Sequence, residues 1–198
     1  MGLIIFLVVV VVLAFLIVGI YNRLVRSRNR YKNAFAQIDV QLRRRHDLIP
    51  NLVETAKAYL EHERETLEAV IKARAAAVNA TDQAAKAPGG ADAMKGLAQA
   101  EGLLSGALGR LLVVMEKYPQ LKADQSTSRV MEELTSTENR ISFARQAFND
   151  AVMAFNILRE TFPNNLVAGA FGFTEARLLD SIDAEEQREA PKVDFTRK

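Results

Sequence analysis

Hydrophobic residues recur at three- and four-residue intervals along four stretches of the chain, and this spacing predicts four amphipathic helices. The predicted segments are A, from about Asn22 to His46; B, from Pro50 to about Asn79; C, from Met94 to Tyr118; and D, from about Ser126 to Glu160. Segment D has the clearest pattern, because nine of ten positions at heptad spacing between Val130 and Phe162 are apolar. In segment C only Glu101 interrupts the apolar face.

Prolines and glycines mark the predicted breaks between these segments. Pro50 lacks an amide donor and is predicted to end segment A. The alternative is a single kinked helix through segments A and B, because the spacing of apolar residues nearly continues past Pro50. The Ala-rich stretch of about 80–93, which contains a Pro-Gly-Gly sequence, is predicted to be a mobile tip loop, the most mobile part of the bundle. Pro163 is predicted to end segment D, and a glycine-containing loop with buried phenylalanines is expected from Asn164 to Phe173.

Four amphipathic helices joined by short or flexible links must bury their apolar faces against one another. The sequence therefore predicts an all-α fold in three parts. These are a single N-terminal transmembrane helix (1–21), an antiparallel four-helix bundle with long helices (22–175) and an acidic C-terminal tail (176–198).

The N-terminal stretch from Leu3 to Ile20 is an uncharged run of 18 positions, apolar except for Gly19. As a helix rising ~1.5 Å per residue it is roughly 27 Å long, which nearly spans a bilayer core of ~30 Å. A cleaved signal peptide would need a basic region before the run and small residues before the cut, and the sequence shows neither. The run therefore predicts a membrane anchor.

A basic collar follows the predicted anchor without an intervening acid: Arg23, Arg26, Arg28, Arg30 and Lys32. Because basic flanks stay on the cytoplasmic side, we expect the N-terminus outside and the bundle in the cytoplasm, at the inner or plasma membrane. The collar is also expected to attract the anionic headgroups of the lipid bilayer.

The residue inventory limits the catalytic chemistry. The 198 residues include no Cys, which excludes thiol catalysis, thiolate zinc sites and iron–sulfur clusters. His62-Glu63 lacks the second His of a zinc-protease helix, and neither a phosphate-binding glycine loop nor a serine nucleophile elbow occurs. The sequence therefore predicts a non-enzymatic protein without catalytic residues, metal ligands or a cofactor.

Three consecutive arginines, Arg43, Arg44 and Arg45, form the densest basic cluster. On a straight helix they lie roughly 35 Å beyond Tyr21, several Debye lengths of ~8 Å from the membrane surface. Nucleic acid would need a broader basic face with aromatic platforms, so no nucleic-acid partner is predicted. We interpret the cluster as cations favoured in the last turn of segment A, with the acidic patch of a partner as the alternative.

Polar residues within segment D are expected to form an interhelical network that fixes helix register, and a ligand site is the alternative. The network residues are Glu138, Asn139, Arg140, Asn149, Asp150 and Asn156.

A second apolar flank on segment D predicts self-association. It comprises Phe143, Ala147, Ala154 and Ile157, and it widens the nonpolar arc to roughly 200°, more than a bundle helix needs. Arg140 and Asp150 lie within this arc and would need partners from another helix or chain. The alternative is that segment D is the central helix, covered by the other segments.

Resemblance to a known family is carried by three stretches: YNRLVRSRNRYKNAFAQIDVQLRRRHDLIPNLVETAKAYLEHERETLEAV, LLVVMEKYPQLKA and TENRISFARQAFNDAVMAFNILRETFPNNLVAGAFGF. They closely resemble the LemA family, over nearly the whole chain. The resemblance implies one N-terminal span and a helical-bundle domain. It implies little about chemistry, because the biochemical role of that family is poorly defined.

Two functions follow as hypotheses. The first is a membrane-anchored scaffold that self-associates and organises partners. The second is a binding or signalling adaptor whose bundle receives a protein or small ligand. The resemblance links the adaptor to membrane proteolysis, because relatives are often encoded beside membrane metalloproteases.

Overall fold

The structure is a computed structural model that describes residues 1–60 and 62–179. These residues form six helices: α1 (Gly2–Lys57), α2 (Arg64–Lys86), α3 (Ala91–Met115), α4 (Pro119–Ala123), α5 (Gln125–Glu160) and α6 (Asn164–Ala170). The second half of α1 packs against α5 and α2, and α2 packs against α3. Together α1, α2, α3 and α5 form the bundle, which confirms the predicted all-α fold.

The first third of α1 is the predicted membrane segment. It contains an 18-residue apolar window of which no part is buried in the protein. The remainder of α1, residues 22–57, is as long as the whole of α5. Each spans about 54 Å at ~1.5 Å per residue. Helix α3 is also long and apolar enough to cross a membrane, but a third of its window is buried in the bundle.

Helix α1 continues through Pro50 to Lys57, so the predicted end of segment A is wrong. Ile49, Leu52 and Val53 on both sides of the proline are buried in the core. Burial of this continuous apolar face outweighs the helical hydrogen bond that proline removes, a loss of about 3 kcal/mol. The chain reverses after Lys57 instead, and segment B is divided between α1 and α2.

The predicted tip loop is much shorter than expected. Helix α2 extends to Lys86 and α3 begins at Ala91, which leaves a four-residue turn. Gly89 in this turn has φ +82°, and its carbonyl accepts a 2.7 Å hydrogen bond from the amide of Arg177. The turn is therefore packed against the C-terminal part of the described chain.

The segment after Pro163 also differs from the expectation. Residues 164–170 form α6 rather than a loop, and of the two phenylalanines that follow, Phe173 is buried whereas Phe171 is exposed. Ala176 and Leu179, assigned above to the tail, lie in the core. The acidic part of the predicted tail, 180–198, lies outside the described residues.

The core consists of two apolar clusters stacked along the bundle. In α1 the first cluster ends at Leu42 and the second begins at Ile49. In α5 the first includes Ile141 and Phe148, whereas the second ends at Leu134. A layer of charged side chains lies between them, at the level of Arg45.

Candidate functional site

The polar layer between the two core clusters is built around a buried ion pair. Arg45 of α1 is 6% exposed, and its Nη1 lies 3.3 Å from Oε2 of Glu101 in α3. The other oxygen of Glu101 lies 2.8 Å from Nε2 of His46, which is 2% exposed. Glu101 is the residue that interrupts the apolar face of segment C, and the structure shows that it binds two basic residues of α1.

Four helices meet in this layer. Arg45 also donates from Nη2 to Oγ of Ser105 at 2.8 Å, and its Nη1 lies 3.0 Å from Oε2 of Glu138 in α5. From α2, Arg74 Nε donates to the carbonyl of His46 at 2.6 Å. Each of these bonds joins α1 to a different helix, so the layer connects α1 to all three other long helices of the bundle.

The three consecutive arginines each meet an acid on a different helix. Arg43 pairs with Asp82 of α2 at 2.9 Å, and Arg44 pairs with Glu133 of α5 at 2.8 Å. The hydrogen bonds that Arg43 donates to the carboxylates of Asp39 and Asp82 raise its pKa above the usual value. The helix-terminus interpretation of the cluster is therefore wrong, because α1 continues past it and the acidic partners come from the same chain.

A groove lies between α3 and α5, with α1 as its floor. A cavity of about 380 Å³ opens on one side of Arg45, lined by apolar Leu42, Leu97 and Ile141 together with Glu101 and Arg145. A second cavity of about 380 Å³ continues past Arg45 toward α4. Its lining includes Leu52, Leu108, Leu112, Met131 and Leu134. The contact between Arg45 and Glu138 bridges the groove between these two apolar halves.

Asn149 and Asn156 hold an extended segment of the chain rather than another helix. The amide of Asn156 donates to the carbonyl of Ala176 at 2.8 Å and accepts from its N–H at 3.0 Å. Asn149 makes the same two bonds to Leu179, at 3.2 and 2.9 Å. Seven helical residues rise about 10.5 Å, and three extended residues span nearly the same distance, so the two spacings match.

The predicted network of segment D is therefore separated into different environments. Glu138 is exposed but pairs with Arg45 at the edge of the buried layer, and Asn149 and Asn156 bind the extended segment. The remaining three residues are exposed: Asn139, Arg140 and Asp150. Arg140 and Asp150 were each expected to need a partner from another helix or chain, and both are exposed, so neither is buried inside this subunit.

The second apolar flank of segment D is exposed along the outer side of α5. Phe143 is 74% exposed and Ile157 is 63% exposed, and Ala147 and Ala154 between them are exposed as well. Helix α5 is thus not covered on all sides by the other described helices. Asp150, which is also exposed, lies on this flank between Ala147 and Ala154.

The side chains of the basic collar lie in two different environments. Arg23, Arg26, Arg30 and Lys32 are exposed. Arg28 instead turns toward the bundle, where its guanidinium lies 5.1 Å from the ring centroid of Phe173. The collar is thus partly a structural contact and partly an exposed basic surface.

An aromatic cluster surrounds Tyr31 near the membrane end of the core. The Tyr31 ring lies 5.2 Å from that of Phe155 and 6.3 Å from that of Phe148, both edge to face. Burial raises the pKa of the Tyr31 phenol, although the charge of Arg28 partly opposes the shift.

Among residues 1–60 and 62–179, the structure shows no cluster of three metal-ligating side chains. His46 faces Glu101 in the buried layer, and His62 is exposed in the connection between α1 and α2.

The pairing of Glu101 with Arg45 and His46 is the feature of the site that the sequence did not predict, although Glu138 was expected in an interhelical network. The sequence gives two indications of these contacts. Glu101 interrupts the apolar face of segment C, and Arg45 and His46 occupy positions that the spacing of segment A assigns to its apolar face. Glu101 is 55 residues from His46 in the sequence, and Glu138 is 93 residues from Arg45. Spacing along one helix does not reveal pairings between such distant positions.

Comparison with known proteins identifies the family of this chain. A sequence profile of the LemA family matches residues 34–195. The chain belongs to the LemA family. The matched region begins within α1, beyond the apolar segment, and includes every other described helix.

Curated relatives of this LemA-family chain carry two different names. Magnetosome protein MamQ 2 of Paramagnetospirillum magneticum is 28% identical over 83% of this chain and 66% of its own length. Magnetosome protein MamQ of Magnetospirillum gryphiswaldense is 27% identical over 77% of this chain and 62% of its own length. The chain thus spans slightly less than two thirds of these relatives. Protein LemA of Metamycoplasma hominis is 25% identical over 91% of this chain and 78% of its own length.

Neither name describes an enzymatic activity. Together with the N-terminal apolar helix, these relatives indicate a membrane-associated protein.

Proposed function

We propose that this LemA-family protein is a non-enzymatic, membrane-anchored helical scaffold that self-associates at the cytoplasmic face of the membrane. The observation that carries the proposal is the outer face of α5, where Phe143 and Ile157 are mostly exposed. With Ala147 and Ala154 they occupy four of the five successive positions of a three-four seam, and Asp150 occupies the fifth. Large apolar side chains exposed along one helix face are typical of protein–protein contacts.

A second copy of the chain is the partner that fits this face. Single-span anchors in one bilayer hold their bundles side by side, and this raises the effective concentration of one α5 for another. The small side chains of Ala147 and Ala154 allow two helices to approach closely, while Phe143 and Ile157 supply the buried area.

The mass of the detergent-solubilised full-length protein tests this proposal. We expect an oligomer for the native chain and a monomer for Ile157→Glu, with helicity unchanged by circular dichroism. Leu103→Glu is the matched control, because Leu103 is equally exposed (64%) but lies on α3. A monomeric native chain at micromolar concentration would contradict self-association, as would equal dissociation by both substitutions.

The groove between α3 and α5 supports a second function, a binding adaptor that recruits a protein partner and is linked to membrane proteolysis. The groove combines apolar walls with the charges of Arg45, Glu138 and Arg145, a surface suited to an amphipathic helix. A Cβ added at Gly106 would meet no atom outside its own helical turn within 4 Å, so Gly106→Leu should extend into the groove without disturbing the fold.

Crosslinking in native membranes, read by mass spectrometry, separates the two functions. Crosslinks from groove residues to one foreign protein, lost in Gly106→Leu, would support the adaptor. Self-crosslinks through α5 that persist in Gly106→Leu would support the scaffold.

A further inference from the structure

The segment after α5 carries exposed apolar residues at the membrane end of the bundle. Phe162, Leu166 and Phe171 are 75%, 64% and 56% exposed, respectively. Residues 161–173 contain no charged side chain. Exposed aromatic and aliphatic side chains on an uncharged segment are characteristic of surfaces that contact lipid.

Contacts with α1 determine the depth of this segment. The ring centroid of Phe171 lies 5.0 Å from that of Tyr21, and that of Phe173 lies 5.6 Å from it. Tyr21 directly follows the apolar run that ends at Ile20. Phe171 therefore lies where the anchor leaves the hydrocarbon core.

Phe162 lies close to the same depth. The rings of Phe155 and Tyr31 are in contact, so these two residues lie at one level of the bundle. From that level Tyr21 is ten helical residues, about 15 Å, nearer the membrane. Phe162 follows the end of α5 at Glu160 by two residues, so it is about 10–14 Å nearer the membrane. Phe162 is thus within about 5 Å of the level of Tyr21, inside a headgroup region that is roughly 5–8 Å thick on each side of the core.

The buried side of the segment holds it in place. Val167, Ala168 and Phe173 pack into the core, and the amide of Asn164 donates to the carbonyl of Leu158 at 3.0 Å. The exposed residues are therefore presented by a fixed part of the bundle. Arg23 and Arg26 of the collar are exposed at a similar depth and suit anionic headgroups.

We propose that residues 161–173 are a second membrane contact, with Phe162, Leu166 and Phe171 seated in the interface of the bilayer that α1 spans. The first contact is the anchor, which alone would leave the bundle free to tilt and rotate about α1. The second contact fixes the orientation of the bundle against the membrane. This inference rests on the membrane placement of the proposed function.

Tryptophan quenching by brominated lipid tests the contact. The native chain contains no Trp, so Phe171→Trp gives the full-length protein a single indole. In vesicles of phosphatidylcholine and phosphatidylglycerol we expect blue-shifted emission, and at least about twofold lower intensity when the phosphatidylcholine carries bromine near the headgroup. Leu166→Trp should behave alike, and it serves if Phe171→Trp does not fold.

Two controls bracket the result. Phe15→Trp lies within the apolar run and should be quenched if α1 spans the bilayer. Leu103→Trp, on the exposed side of α3, should not be quenched, because Glu101 contacts residues of α1 that lie about 36 Å from Tyr21.

Each outcome decides the matter. Quenching at positions 15 and 171 but not at 103 supports the inference. Quenching at 15 alone overturns it and leaves the anchor intact, whereas quenching at neither overturns the anchor as well. A blue shift at 171 without quenching would mean that a second copy, rather than lipid, covers the segment, and this too overturns the inference.

Discussion

The side-chain amide of Asn156 binds both backbone groups of Ala176, donating to its carbonyl at 2.8 Å and accepting from its N–H at 3.0 Å. An amide side chain in this position substitutes for the neighbouring strand that an extended segment otherwise requires. Asn149 repeats the arrangement at Leu179. Two asparagines of α5 thus attach residues 176–179 to the helical core.

Asn156→Ala should release this segment. The substitution leaves two backbone groups near the core without partners, and we expect a loss of about 1–3 kcal/mol of stability. Hydrogen exchange at the amide of Ala176 should accelerate, measured by mass spectrometry on the full-length protein. Asn139→Ala is the control, since Asn139 is exposed on the same helix. Equal protection in both variants would contradict the role of Asn156.

Glu101→Gln should destabilise the bundle strongly. It removes the charge that faces both Arg45 and His46, and breaking a buried pair from one side costs about 3–5 kcal/mol. Urea unfolding followed by circular dichroism gives the loss. Glu133→Gln breaks an exposed pair with Arg44 and should cost at most about 1 kcal/mol. Similar losses for both variants would refute the buried layer as the register device.

Gly89→Ala should destabilise the turn between α2 and α3. Gly89 has φ +82°, and an added Cβ would lie 3.1 Å from Cβ of Ala176 and 3.2 Å from Cε2 of Tyr31. The left-handed backbone alone costs a non-glycine residue about 1–2 kcal/mol. Gly96→Ala lies in α3 with open space around its Cβ and should stabilise by about 0.5–1 kcal/mol. The difference in unfolding midpoint between the two variants measures the effect, and a Gly89→Ala midpoint at or above the native one would contradict it.

Asp150→Asn should strengthen self-association if copies lie side by side in one membrane. Their α5 helices then run parallel, so Asp150 faces its own copy across the seam and the two like charges repel. Sedimentation equilibrium in detergent should show a dissociation constant several-fold lower than that of the native chain. Asp92→Asn, on the exposed side of α3, should leave it unchanged. Weaker association of Asp150→Asn would indicate that Asp150 meets a cation instead.

Protease accessibility tests the predicted orientation. The basic collar predicts a cytoplasmic bundle, so protease added to intact cells should leave the domain uncut and should digest it after lysis. Digestion in intact cells would place the bundle outside.

The sequence by itself determined the features that depend on local periodicity and composition. The run from Leu3 to Ile20 predicted the exposed apolar part of α1, and the heptad pattern of segment D predicted α5 almost to its ends. Apolar spacing is a property of one helix, so it can be read before the partner helix is known. Resemblance in the same sequence also indicated the LemA family.

Only the tertiary structure decided where α1 ends, how the turn at Gly89 packs and which polar residues meet. Pro50 is a local helix breaker, but the core around Ile49 and Leu52 outweighs its local preference. The pairings of Arg45 with Glu101 and of Asn156 with Ala176 join distant positions, and burial within the assembled bundle gives those contacts their strength. Local propensity contains no information about such long-range burial, so these features emerged only when the helices were packed together.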